Sequence, residues 1–142
     1  METGSQALGL CLIAEPDRFI AQLLIRFAEE MRLTCVRAKE GEDLLALARR
    51  IKPDVIILDA EFPGDRIGWE ILRSLKADAE TRHIRLISCS WLSQAEVYSL
   101  GGQLAGHLQK PDISYDDFAA IMKKAGVIKK MRKDENPSQL SD

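Results

Sequence analysis

Apolar residues fall in two alternating arrangements along this chain of 142 residues. Short apolar runs at positions 10–14, 33–36, 55–58, 84–89 and 104–109 read as five strands. The run Val55-Ile56-Ile57-Leu58 shows no polar–apolar alternation, which suits a parallel strand buried on both faces. Gly106 sits awkwardly in the last run, since glycine weakens a strand interior. Between these runs the apolar spacing becomes helical. Phe19, Ile20, Leu23, Leu24, Phe27 and Met31 form one stripe, with Asp17 placed to cap its start. A second helix covers 42–51, with Leu44, Leu45, Ala48 and Ile51 inward and Pro53 ending it. Leu72 and Leu75 mark a third helix over 69–77, and residues 93–100 a short fourth ended by Gly101-Gly102. Phe118, Ile121, Met122 and Ala125 belong to a fifth that begins at Asp116.

Strands that alternate with helices imply crossovers of one hand and a parallel sheet with helices on both faces. The expected fold is α/β: a flavodoxin-like, doubly wound, five-stranded parallel sheet of order 2-1-3-4-5 with five flanking helices. It forms one domain over residues 8–131, between a disordered start (1–7) and a polar disordered tail (132–142).

Three strands end on charge. Glu15 closes the first, Asp59 the third, and Lys110 the fifth, directly before Pro111. Open α/β sheets place their chemistry at the carboxyl edge. One such residue would read as a helix cap or a loop charge; three on different strands converge on one edge.

Composition narrows the function. A net charge of −2 argues against a coat for nucleic acid. Lys123, Lys124, Lys129, Lys130, Arg132 and Lys133 make a basic end to the last helix, where cations are favourable, and lack interleaved aromatics. Nucleic acid is therefore not an expected partner. Cys11, Cys35 and Cys89 are odd in number and lie in strands, so they read as buried reduced thiols. His83 lies in a loop with no partner to name. The first six residues carry no basic side chain, and the first apolar run stops at Glu15. That is neither a signal peptide nor a membrane anchor, and the expected location is cytoplasmic.

Taken in order, Glu15, the segment Pro53-Asp54-Val55-Ile56-Ile57-Leu58-Asp59, Phe62-Pro63-Gly64, Ser90 and Lys110-Pro111 resemble the receiver domain of two-component response regulators, the CheY-like superfamily. The resemblance implies a signalling domain in a phosphorelay, not an enzyme in the usual sense. Asp59 would accept a phosphoryl group from a sensor histidine kinase or a phosphotransfer protein. Mg²⁺ would be held by Glu15, Asp59 and the backbone carbonyl of Glu61, neutralising the approach of two anions. Lys110 and the Ser90 hydroxyl would contact phosphoryl oxygens. Too few residues follow the fifth helix for an output domain, so output would pass to a downstream protein partner or through a homodimer, or the chain is one domain of a longer protein.

Four departures from the family pattern stand out. Receivers carry two adjacent acids after the first strand, whereas Pro16 follows Glu15 and offers no side-chain ligand. Asp17 could reach a metal only through water. Trp91 follows Ser90 where a small residue is usual, and it either covers Asp59 or packs on the short fourth helix. His107 stands where receivers commonly have a switching aromatic, three residues before the lysine; it reads as a half-exposed surface histidine ahead of a pH-sensing or phosphotransfer role, or as part of a switch with Ser90 and Trp91. Finally, the Ser90–Lys110 interval is short, and the loop after Asp59 is long, with Asp65-Arg66-Ile67 before Gly68.

Two alternatives follow. Pro16 and Trp91 favour a pseudo-receiver, a phosphorylation-independent interaction module, while Asp59, Ser90 and Lys110 oppose it. A nucleotide- or flavin-binding enzyme of similar architecture would need a glycine-rich loop after the first strand, and Glu15-Pro16-Asp17-Arg18 supplies none.

Overall fold

The computed structural model describes residues 7–59, 61–62, 68–101 and 104–127. Its elements run β1 (Gly9–Ala14), α1 (Arg18–Glu30), β2 (Leu33–Arg37), α2 (Leu44–Ile51), β3 (Val55–Leu58), α3 (Gly68–Ala77), β4 (Arg85–Ser90), α4 (Gln94–Gly101), β5 (Gly106–Gln109) and α5 (Tyr115–Ala125). The five strands make one sheet in the order β2-β1-β3-β4-β5, as the sequence implies, and every neighbouring pair is parallel.

Successive strand residues point to opposite faces, and each face builds its own core. Cys11, Ile13, Val55, Ile57, Ile87, Cys89 and Leu108 meet Leu24 and Ala28 of α1 and Phe118 and Met122 of α5. Leu12, Ala14, Ile56, Leu58 and Leu86 meet Leu44, Leu45, Leu47 and Ala48 of α2 and Ile71, Leu72 and Leu75 of α3. Full burial of one such side chain is worth about 1.5–3 kcal/mol, so these two layers carry the fold. In α4, Val97 is the one buried side chain among those described.

Register decides what reaches the carboxyl edge. Ala14 pairs with Leu58, Leu58 with Ser88, and Ser88 with His107. Glu15 and Asp59 therefore emerge side by side, while Ser90 pairs with Gln109 one step before Lys110.

Local chemistry sets the helix ends and corrects several expectations. Asp17 caps α1 by accepting the Ile20 N–H at 3.0 Å. Phe19 does not join the inward stripe: it is 86% exposed. It lies five residues before the buried Leu24, about 140° round the helix. Ala21, Leu24 and Ala28 form the buried line instead, flanked by Ile20, Leu23 and Phe27. α2 starts two residues later than expected, because Asp43 takes the cap by accepting the Ala46 N–H, while Glu42 accepts the Lys39 N–H in the preceding turn. Leu47 is buried there as well. α2 ends at Lys52 in the left-handed region (φ 51°), with Pro53 following. Cys35 is only half-buried, since β2 is an edge strand; it faces Cys11, and all three cysteines are free.

Gly106 belongs to β5 because α5 passes too close for a side chain. A Cβ there would stand 2.5 Å from Ile121 Cγ2. Residues 1–6 of the expected disordered start (1–7), Pro63-Gly64, Asp65-Arg66-Ile67, Gly102, the basic residues beyond Lys124 and the tail (132–142) lie outside the described residues. Among those described, no helix is long and apolar enough to cross a membrane.

Stability measurements on three variants check this packing. Gly106→Val should lower the unfolding free energy in a denaturant titration by about 1–3 kcal/mol, the cost of overpacking. Leu24→Ala should cost about 2–5 kcal/mol, whereas Phe19→Ser should stay within about 0.5 kcal/mol.

Candidate functional site at the carboxyl edge of the sheet

Each strand of the sheet delivers a polar residue to one end. Glu15 leaves β1 fully buried, and its Oε2 accepts the Asp17 N–H at 2.9 Å. Asp59 leaves β3 with 3% of its surface exposed. Its Oδ1 accepts the Glu61 N–H at 2.7 Å, and its Oδ2 receives the ammonium of Lys110. Lys110, 4% exposed, leaves β5 and reaches both acids at once. Its Nζ lies 2.9 Å from each carboxylate oxygen of Glu15 and donates a hydrogen bond to Oε2. Oε1 sits at ion-pair distance but outside hydrogen-bond geometry, and so has no hydrogen bond of its own.

Two carboxylates and one ammonium leave a single negative charge in a site almost closed to water. Burial pushes the Glu15 carboxyl above the ordinary range, against the opposing pull of the Asp17 N–H and Lys110. Burial also acts to lower Lys110, but its bonds to Asp59 and Glu15 outweigh that and hold the ammonium above the usual lysine value. Lys110 is therefore the site's fixed cation.

The β1–α1 loop is held from outside. Arg37, the last residue of β2, donates from Nη2 to the carbonyls of Glu15 at 3.0 Å and Pro16 at 3.4 Å. Asp17 spends a carboxylate oxygen on capping α1. Pro16 brings no ligand, and among the described residues no cluster of three His, Cys, Asp or Glu side chains could hold a metal. The donors that remain are Glu15 and Asp59. Two carboxylates suit Mg²⁺, which ordinarily takes one or two such ligands and fills its other positions with water and phosphate oxygens. The buried Oε1 of Glu15, free of any hydrogen bond, fits that use.

Ser90 ends β4 at the same edge, and its Oγ accepts the Leu92 N–H at 3.0 Å. Trp91 is 61% exposed, so most of its surface faces solvent. His107 is half-buried and bonded at both ring nitrogens, to Ser88 Oγ at 2.6 Å and the Leu92 carbonyl at 2.9 Å. The reading as a plain surface histidine misses these bonds. Sequence reasoning also missed Arg37 and Gln109. Arg37 obeys the same strand-end pattern as Glu15 and Asp59, and ending the second strand at Val36 hid it. Gln109 lies two residues from His107, on the same face of β5.

Comparison with known proteins places this geometry. PilH of Pseudomonas aeruginosa is 38% identical over 79 residues, which cover 54% of this chain and 64% of PilH. The polar-differentiation response regulator DivK of Brucella anthropi is 32% identical over 77 residues, or 54% of this chain and 62% of DivK. The chain thus matches less than two thirds of the length of either relative. Among solved structures, the chemotaxis response regulator CheY4 of Vibrio cholerae superposes with a TM-score of 0.71 at 19% identity, covering 82% of this chain and 97% of that one. The receiver domain of a Pseudomonas aeruginosa sensor histidine kinase, which holds a magnesium ion in its active site cleft, superposes with a TM-score of 0.69 at 17% identity, covering 83% and 98%. Structural likeness at such identities speaks to the fold, but the sequence profile of the response regulator receiver domain matches residues 11–123, and this chain belongs to that family of two-component signalling domains.

Proposed function

We propose that this chain accepts a phosphoryl group on Asp59 from the phosphohistidine of a sensor histidine kinase or phosphotransfer protein, and signals to a downstream protein by contact. The observation that carries this reading is the Lys110 ammonium shared by Asp59 and Glu15 in a buried site. The proposed domain extends over residues 8–131.

In the proposed step a carboxylate oxygen of Asp59 attacks phosphorus, the P–N bond breaks, and the departing imidazole takes up a proton as the acyl phosphate forms. The charge that Lys110 now neutralises on Asp59 Oδ2 passes to the phosphoryl oxygens, and the ammonium needs only a short shift to follow it. The Glu61 N–H already points at Asp59 Oδ1 and keeps the carboxylate oriented. The Ser90 hydroxyl supplies a second donor at the edge. Glu15, Asp59 and the Glu61 carbonyl would hold Mg²⁺, which supplies charge neutralisation between carboxylate and phosphoryl group. With Pro16 in place of a second acid, that affinity is weaker than two adjacent acids would give.

A phosphorylation-independent module gains little from this cluster. Apolar residues of similar volume are often as stable as a buried ion group, so its presence favours use over structure.

Intact mass after incubation with acetyl phosphate and Mg²⁺ tests the reading. A phosphoryl adduct should form, and it should disappear in Asp59→Asn and after chelation of the metal. A folded wild-type protein with no adduct would sink the proposal. The ion cluster makes a separate demand on stability. Lys110→Met strands two buried carboxylates and should cost about 3–5 kcal/mol in a denaturant titration. Adding Glu15→Gln should recover part of that loss.

A further inference from the structure

The β4–α4 connection is strapped to β5 at three consecutive carbonyls. The Lys110 N–H donates to Ser90 O at 2.8 Å, the Gln109 side-chain amide donates to Trp91 O at 2.7 Å, and the ring of His107 donates from Nε2 to Leu92 O at 2.9 Å. A carbonyl only accepts, so Nε2 carries the hydrogen. In the neutral ring, Nδ1 then accepts from the Ser88 hydroxyl, 2.6 Å away on the neighbouring strand. The imidazole is bonded on both sides and cannot rotate without losing both partners.

Leu92 is the residue that this ring holds, and Leu92 also faces the site. Its N–H donates to Ser90 Oγ at 3.0 Å. A serine hydroxyl has one hydrogen to give and two lone pairs to receive. While Oγ receives the Leu92 N–H, its single hydrogen stays available for another acceptor. Immediately after Leu92, Ser93 and Glu96 close a reciprocal cap on α4: the Ser93 N–H donates to Glu96 Oε1 at 2.9 Å, and the Glu96 N–H donates to Ser93 Oγ at 3.2 Å. Leu92 thus links the Ser90 hydroxyl, β5 and the start of α4.

We infer that His107 is a positioning residue for the chemistry at Asp59: by fixing the Leu92 carbonyl, it keeps the Leu92 N–H on Ser90 Oγ and leaves the Ser90 hydrogen for a phosphoryl oxygen. This rests on the phosphoacceptor reading above and deepens it. An apolar side chain at 107 fills the space but releases Leu92, and Ser90 becomes a free rotor. Glutamine can imitate the ring, since its amide offers both an N–H donor and a carbonyl acceptor at comparable reach.

The test compares wild type, His107→Leu and His107→Gln, each checked for fold by circular dichroism. Two readouts are taken: the rate of Asp59 phosphorylation by acetyl phosphate, and the hydrogen exchange of the Leu92 amide by NMR in the unphosphorylated protein. His107→Leu should slow phosphorylation about tenfold and speed Leu92 exchange about tenfold, the worth of one ordinary hydrogen bond. His107→Gln should bring both readouts back most of the way. A merely structural histidine would move melting temperature but would not give paired loss and glutamine rescue. Unchanged phosphorylation and exchange in His107→Leu would overturn the inference, as would a glutamine variant no better than leucine. Should the wild-type protein take no phosphoryl group, the functional reading falls by itself. Leu92 exchange would still decide whether His107 holds the loop.

Discussion

One ammonium shared by two buried carboxylates is the constraint on which the rest of the structure turns. Lys110 carries it, and Glu15 and Asp59 receive it where almost no solvent reaches. Taking three charges out of water is costly, and their attraction offsets that cost only if the geometry is held closely. A parallel sheet provides the hold, because it sends the ends of β1, β3 and β5 to the same edge. The two apolar layers keep those strands in register, and register keeps the charges within reach. Loss of alignment at any one strand would leave a charge buried without its partner.

The β1–α1 loop is held in place by the groups around it. Proline after Glu15 removes a backbone N–H and offers no carboxylate. The structure answers with groups from elsewhere: Arg37 holds the carbonyls of Glu15 and Pro16, and the Asp17 N–H holds Glu15 Oε2. The loop stays defined around the one carboxylate, Glu15, that it contributes to the ion cluster.

The order of strands and helices was legible because burial on both faces and helical spacing leave different marks, and Val55 to Leu58 shows the first kind plainly. Asp59, Glu15 and Lys110 were legible because each stops an apolar run. Helix phase was less so: a stripe of six apolar residues admitted Phe19, although the buried line passes through Ala21 and Ala28, small residues that declare little in a sequence. Glu42 misled for a related reason, since an acid near a helix start can cap it or sit in the turn before, and Asp43 held the better position. Arg37, Gln109 and the bonds of His107 escaped because their partners are backbone carbonyls or a distant serine. Carbonyls carry no residue-type signature, so contacts made to them leave almost no trace in composition or spacing.

The reciprocal cap between Ser93 and Glu96 carries a mechanical consequence. A helix start normally depends on its surroundings to satisfy the first free N–H groups, but α4 satisfies part of that need within its own first turn. Among its described side chains it drives only Val97 into the interior. Its start therefore keeps those donors satisfied without help from the rest of the domain, while Val97 and the Tyr98 hydroxyl, which donates to the Leu104 carbonyl at 3.4 Å, tie its length to the body of the fold.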